Sequence, residues 1–387
     1  MDFGLSKEQE MLRASARKFL EAECPSSVVR AAMESPTAHV PALWRQIAEL
    51  GWLGVLVPEQ HGGVGGSFLD MSVFLEEMGR ALLPGPYFAT AILGALAVRE
   101  AGSHTQQARI FPAVARGDLR MTLALGKADD RTDAAGVAFA ARPRGCGYVL
   151  SGEQPFVMDA HVADTIVVAA RTCPSDTGEA ATSAGRSEGE TLFLIDARAP
   201  GVEIAALETV DMTRRLCTVR LRDVPIEAAG VLGAPGTGRR VVRRILDHAL
   251  VAIAIELVGT GQRALDMSIA YAKERVQFGR PIGSFQAVKH ACVDMMVAVE
   301  TARSLAYYAA WAVSENTPDA GNAAAMAKAC CSDMGKTVTS QAIQVHGGIG
   351  FTWEHDLHLY HRRALASEAA FGAAPVHREA VAQSIVG

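Results

Sequence analysis

Hydrophobic and polar positions change rhythm twice along this chain. Through the first 118 residues apolar positions recur at helical spacing. Ser6 and Gln9 form a capping box, and Leu12, Ser15, Ala16, Phe19 and Leu20 follow with small or apolar character. The run Pro41-Ala-Leu-Trp-Arg-Gln-Ile-Ala-Glu-Leu50 predicts a second helix that stops at Gly51. Pro58 to Ser67 is a glycine-rich loop, a helix begins near Phe68, and Pro84-Gly-Pro86 breaks the chain before a further helix. From about 119 to 225 the rhythm becomes that of short strands. Tyr148-Val-Leu, Thr165-Ile-Val-Val, Thr191-Leu-Phe-Leu-Ile and Thr218-Val-Arg-Leu are separated by Gly, Pro, Asp and Ser, and Ser175 to Gly189 reads as a long surface loop. After Gly236 helical spacing returns. A long helix is predicted from Arg239 to Gln277 and ended by Gly279-Arg-Pro-Ile-Gly283, a second starts near Phe285, and a third is built on the alanine-rich stretch from Gly321. The expectation is a multidomain α+β chain: an N-terminal helical bundle over 1–118, a small antiparallel β domain over 119–225, and a C-terminal helical domain over 226–387.

Composition narrows the class. Of 387 residues 49% are apolar and 20% charged, which excludes extended disorder and allows two or three packed domains. The 37 basic and 42 acidic side chains leave a net charge of −5, which disfavours a protein that coats nucleic-acid phosphates. The longest apolar run, Ala249 to Leu257, is cut by Glu256, so no membrane span is expected. The opening residues carry acidic side chains and no apolar signal core. The seven cysteines are odd in number and lack CxxC spacing, so they read as reduced thiols. A cytoplasmic enzyme is the expectation.

Four features could carry chemistry. Arg275-Val-Gln-Phe-Gly279, followed by Pro281-Ile-Gly-Ser-Phe-Gln286, sets an arginine at a helix end before glycines and an amide, which suits an anionic ligand with an attached base; the alternative is a glycine-capped helix stop. Gln341-Ala-Ile-Gln-Val-His-Gly-Gly-Ile-Gly-Phe351 has three glycines in four positions, so its backbone can approach a bulky ligand. It follows a helix rather than a strand and is not a Rossmann phosphate loop. His346, His355, His358 and His361 could form a metal face or a polar helix turn, and no H-E-x-x-H spacing selects a ligand set, so no metal site is expected. Glu256 sits within an apolar helix, the setting of a general base or of a carboxylate paired to a neighbouring helix. The basic pairs Arg239/Arg240 and Arg243/Arg244 open the long helix and read as a solvated face or a contact for a phosphate or an acidic partner. Cys330-Cys331 has no recognisable base beside it.

Together these features fall into a known order. The opening LSKEQEMLRASARKFL, Gly51-Trp-Leu-Gly-Val-Leu-Val-Pro-Glu-Gln-His-Gly-Gly63, Phe74-Leu-Glu-Glu-Met-Gly-Arg80, Gln262-Arg-Ala-Leu-Asp266 through Arg275-Val-Gln-Phe-Gly-Arg-Pro-Ile282, and Gln344-Val-His-Gly-Gly-Ile-Gly-Phe351 follow one another with the spacing of the acyl-CoA dehydrogenase family, which the chain resembles over essentially its whole length. The variant GGIGFTWEHDLHLY resembles the bacterial branch that acts on bulky or steroid-derived acyl-CoAs. The resemblance implies a C-terminal four-helix bundle and FAD held between two subunits. Arg275 would face the pyrophosphate, Phe278 and Gln286 would lie near the adenine, and Gln344, Gly347 and Gly348 would reach the neighbouring subunit's cofactor. It implies a dimer at minimum, usually a tetramer. The implied reaction removes an α-proton of an acyl thioester with a carboxylate while the β-hydride passes to the flavin, and electrons leave to an electron-transfer flavoprotein. The helix after Pro86, with Thr90 and Ala91, would line the acyl pocket.

The chain departs from the family where the chemistry is concentrated. Gapless counting places Phe371 at the usual glutamate base and Ala249 at the alternative base early in the long helix, so neither position holds a carboxylate. Glu256 shares the helical face of Ala249, about 10 Å further along the axis, and leads Asp247, which is turned about 200° away. The family's Thr-Glu-Pro-Gly-Ala-Gly-Ser-Asp stretch is replaced around Thr122-Leu-Ala-Leu-Gly-Lys-Ala-Asp-Asp130, and its Trp-Ile-Thr by Phe156-Val-Met158, which loses a hydroxyl. The leading expectation is an FAD-dependent acyl-CoA dehydrogenase using Glu256. The alternatives are an FAD-completing subunit of a heterotetramer whose partner supplies the glutamate, and a flavin enzyme of the same fold with other chemistry.

Overall fold

The computed structural model describes residues 4–125, 138–172 and 189–386. Residues 126–130 of the departing stretch, residues 175–188 of the long loop and Cys173 lie outside the described residues. In chain order the elements are α1 (Lys7–Glu23), α2 (Ser26–Glu34), α3 (Pro41–Glu49), α4 (Phe68–Ala81), a π-helical turn (Phe88–Gly94) running into α5 (Ala95–Ala101), and α6 (His104–Ala115). The strands are β1 (Met121–Ala124), β2 (Phe139–Arg144), β3 (Gly147–Met158), β4 (Thr165–Thr172), β5 (Glu190–Asp196), β6 (Val202–Ala206), β7 (Leu216–Ile226) and β8 (Val231–Leu232). The last helices are α7 (Gly238–Glu274), α8 (Gln286–Glu315), α9 (Ala320–His346), α10 (Leu357–Ala369) and α11 (Ala374–Val386). Among the described residues no helix is long and apolar enough to cross a membrane.

The chain divides into two compact units assembled from separated segments. One comprises the residues up to Met33, Phe68–Leu83 and those from Asp247 on; the other comprises Glu34–Ser67 and Pro84–Leu246. In the second unit the sheet runs β6-β7-β3-β2-β4-β5-β8, with β1 added to β4. The expectation of an antiparallel sheet holds for most pairs, but β1 and β2 both run parallel to β4. β2 is hairpin-linked to β3 and so opposes it. The chain then reverses at Ala160–Val162, and β4 settles beside β2 rather than β3, running the same way as β2. Phe139, Leu150, Ile166, Val168, Phe193 and Val219 fill one core against this sheet. The capping box at Ser6 forms as the sequence predicts, and a second, Ser103 with Gln106, starts α6.

The first unit is helical apart from one short hairpin. α4 crosses α7 at backbone contact: a Cβ on Gly79 would lie 2.1 Å from the Glu256 carbonyl oxygen, and one on Gly259 would lie 1.9 Å from that of Glu76. Thr260 donates its hydroxyl to the carbonyls of Gly79 and Glu256 across this crossing. Glu76, buried on α4, accepts from Arg303 and from the Tyr307 hydroxyl of α8. α10 and α11 both pack on α9, so α11 stands as a fifth helix beside the four of the expected bundle. α7 ends at Glu274, three residues before the predicted Gln277, because Val276 and Gln277 pair with Arg280 and Pro281 as a hairpin. Its two turn residues, Phe278 (φ 52°) and Gly279 (φ 75°), both take the left-handed region that a tight hairpin turn requires.

Candidate functional site

The hairpin at the end of α7 is built to display cationic and aromatic groups. Arg275, Gln277, Phe278, Gly279 and Arg280 are all exposed, Phe278 to 92%. Arg280 lies over the Phe285 ring at 4.2 Å, and Phe278 meets the same ring edge-on at 6.1 Å. Among the described residues neither Arg275 nor Arg280 forms an ion pair, so both guanidiniums remain available to an anion. Gln286 opens α8 immediately after Phe285, with its side chain in solvent.

The glycine loop after α9 lies next to this hairpin. Tyr271, four residues before Arg275, stacks on His346 with centroids 4.5 Å apart, and Gly347 follows His346 directly. The structure therefore brings Arg275, Phe278 and Gln286 to the same end of the unit as Gln344, Gly347 and Gly348. Gly347 adopts φ 64°, ψ −140°, and neither Gly347 nor Gly348 would meet any atom within 4 Å of an added Cβ. Packing among the described residues does not demand glycine at Gly348; open backbone is what remains to explain it. Beyond the loop, Trp353 is half exposed between the guanidiniums of Arg30 and Arg362 and stacks on His358.

Each of the four histidines of this region has one local hydrogen bond, while His358 Nδ1 is buried without one. His346 donates from Nδ1 to the Ala342 carbonyl at 2.8 Å, His361 shares a hydrogen bond with Thr339, and His358 lies 3.4 Å from the Trp353 carbonyl. Burial holds all four rings below the usual histidine range. Among the described residues no group of three or more His, Cys, Asp or Glu side chains is placed to hold a metal ion.

The positions named for acid–base chemistry fall apart in character. Ala249 is fully buried in α7. Glu256, two turns on, is 4% exposed and has its backbone at the α4 crossing. Phe371 lies half-buried on the turn between α10 and α11, in the left-handed region at φ 57°. Thr90 and Ala91 belong to the other compact unit, fully buried in the π-helical turn. The Thr90 hydroxyl is engaged there with the backbone of Met121, accepting from its N–H at 3.1 Å and donating to its carbonyl at 3.2 Å. In the same unit Phe156 is exposed at φ 62°, and the Met158 carbonyl accepts from Thr122. Sequence reasoning missed the π-helical turn and the buried Lys328 of α9; a lone lysine among alanines was a readable signal for the second.

Comparison with known proteins finds similar chains that cover nearly all of this one. Residues 6–118 match the acyl-CoA dehydrogenase N-terminal domain, and residues 236–386 match the C-terminal domain. The acyl-CoA dehydrogenase IpdE2 of Mycolicibacterium smegmatis is 34% identical over 369 residues, covering 95% of this chain and 96% of that protein. A steroid ACAD variant of the pair Tcur3481-Tcur3483 has TM-score 0.86 and 30% identity over 98% of both chains. The ChsE4-ChsE5 complex from Mycobacterium tuberculosis has TM-score 0.88 and 28% identity, covering 100% of this chain and 99% of that one. With both terminal domains matched and a full-length relative above 30% identity, the chain belongs to the acyl-CoA dehydrogenase family, whose members are FAD-dependent oxidoreductases.

Proposed function

We propose that this chain carries out the α,β-dehydrogenation of a bulky, ring-bearing acyl-CoA thioester in the cytoplasm, passing electrons to an electron-transfer flavoprotein and working as a dimer or tetramer. The observation that carries the reading is one end of the helical unit, where Arg275 and Arg280, in no ion pair among the described residues, and the open backbone of Gly347 and Gly348 are brought together by the Tyr271–His346 stack. These residues fit FAD: the guanidiniums would hold its pyrophosphate, Phe278 and Gln286 its adenine, and the glycines would admit its bulk. Bound FAD supplies the acceptor for a hydride. The chain's own part is to place the thioester, exclude water and take up the α-proton. For that proton Glu256 is the proposed acceptor, a carboxylate buried on the same face of α7 as Ala249. Ala249 and Phe371, both in the helical unit, are proposed to line the acyl pocket. The bulky acyl class is supported by the GGIGFTWEHDLHLY segment and by the likeness to a steroid ACAD.

A second reading is favoured by a specific observation: both positions where the family carries its base are apolar here, Phe371 and Ala249. In that reading the chain completes the flavin site of a heteromer whose partner provides the glutamate, and the likeness to a member of the ChsE4-ChsE5 complex supports it. One experiment separates the two. The chain is purified alone, its visible flavin spectrum is recorded without oxygen, and straight-chain and steroid-side-chain acyl-CoAs are added. The dehydrogenase reading expects bleaching, and expects Glu256→Gln to slow it by about 10²–10⁴-fold. Flavin that bleaches only once a partner subunit is supplied would replace the first reading with the second. Bleaching that Glu256→Gln leaves at full rate would remove Glu256 as the base.

A further inference from the structure

The turn between α10 and α11 is held by one side chain the proposed chemistry does not use. Lys328 lies on α9 among small residues and is 0% exposed. Its Nζ donates to the Glu368 carbonyl at 2.9 Å, the Gly372 carbonyl at 3.0 Å and the Ser332 hydroxyl at 3.0 Å. An ammonium has three donors and no acceptor, so this set satisfies it completely. The Glu368 carbonyl is among the last four of α10, which lack helical partners, and a cation there also meets the negative end of the helix dipole. The Gly372 carbonyl lies on the far side of Phe371 and is also reached by His377 of α11 at 3.1 Å. Between these two carbonyls Phe371 keeps a left-handed backbone that bulky residues seldom adopt, followed by Gly372 at φ 101°. Such a conformation persists only where its surroundings hold it.

We propose that Lys328 is a positioning residue of the site, its ammonium clamping the 368–372 turn at both ends and so setting how Phe371 is presented. The clamp stands on the hydrogen bonds alone; its bearing on the acyl group rests on the dehydrogenase reading, in which Phe371 occupies the base position. The clamp is also sensitive to pH. Burial is the dominant influence on Lys328 and pushes it down to about 8; Glu368 on α10 and Cys331 on α9 oppose this, and Lys336 on α9 reinforces it. His377 is the titratable group facing the turn from α11. Above that pH a neutral amine has two N–H groups for three oxygens, and one end of the turn is released.

Hydrogen exchange of the intact chain, read by mass spectrometry on peptides covering 366–374, tests the clamp. After correction for the intrinsic rate, protection of the turn should fall about tenfold between about pH 7 and about pH 9.5. Lys328→Met should be poorly protected at both ends of the range with no step. Lys328→Arg, which cannot lose its charge there, should restore protection and abolish the step. A flat profile in the unaltered chain would overturn the proposal, as would a folded Lys328→Met with undiminished protection, and the unaltered chain decides alone if the variants do not fold. A chain that shows the step while its flavin ignores butyryl-CoA and steroid-side-chain acyl-CoAs alike would discard the dehydrogenase reading and leave the clamp standing.

Discussion

Gly79 and Gly348 are glycine for opposite reasons. At Gly79 a methyl group would fall 2.1 Å from the Glu256 carbonyl oxygen and 2.7 Å from its Cα, and both partners are helix backbone that cannot step aside. Gly79→Ala should gain about 0.5–1 kcal/mol of helix propensity and lose about 1–3 kcal/mol or more to overpacking, so the net effect is destabilising. A denaturation midpoint that rises would show that the α4–α7 crossing is looser than these distances. At Gly348 the surroundings among the described residues are open, so Gly348→Ala should leave the midpoint of the flavin-free chain unchanged while lowering the flavin retained through gel filtration. Full flavin retention would remove the loop from the cofactor site. The two cases mark what was legible in the sequence. Arg275, Phe278, Gly279 and Gln286 could be read as one exposed group because their neighbours in the fold are their neighbours along the chain. Gly79 and Glu256 are 177 positions apart, and only the packed helices reveal that one makes room for the other.

The elements themselves were legible where their ends are chemical. Ser6 with Gln9, Gly51 and the prolines at 84 and 86 fixed boundaries that the structure keeps within a residue or two. The π-helical turn of Phe88–Gly94 was not legible, because its residues are uniformly buried and no local pattern separates it from an ordinary helix. The parallel pairings of β4 were hidden for a related reason: strand direction is decided by which neighbour a strand meets after the chain reverses. Burial leaves a readable consequence in the α9–α10 region. His346, His355, His358 and His361 are held below their ordinary pKa, and His39 is pushed down to about 4, chiefly by desolvation. The unfolded chain protonates these rings near pH 6.5, whereas the folded chain resists until lower pH. The unfolded state therefore binds more protons between those limits, and stability falls as pH drops through that window. Urea midpoints should be steady from about pH 8 to about pH 7 and decline from about pH 6.5 towards about pH 4. A midpoint that holds until only carboxylates titrate, near pH 4, would show that these rings gain charge freely in the folded chain.

At the scale of the whole molecule, much apolar surface on the helical unit is left uncovered by the described residues. Val293, Met296 and Val297 form an exposed strip on α8, and Phe278, Ile349 and Phe351 project from the hairpin and the glycine loop. Val293 and Val297 are one helical turn apart, so the strip is a face rather than scattered residues. A second chain is the natural occupant if the flavin is shared between subunits, because association and flavin binding then depend on one another. That linkage gives a prediction with two separable arms. Val297→Glu places a charge in the α8 strip and should yield smaller particles by light scattering together with loss of flavin. Arg275→Ala removes a proposed cofactor contact at the unit's end and should lose flavin while keeping more of the assembly than Val297→Glu does. Val297→Glu chains that become monomeric yet stay fully yellow would show that one chain suffices for the cofactor. If the unaltered chain is itself monomeric and colourless, and acquires both flavin and size only with a second, different subunit, the same strip is the contact of a heteromer. The apolar residues at positions 249 and 371 would then be tolerated because the partner carries the base.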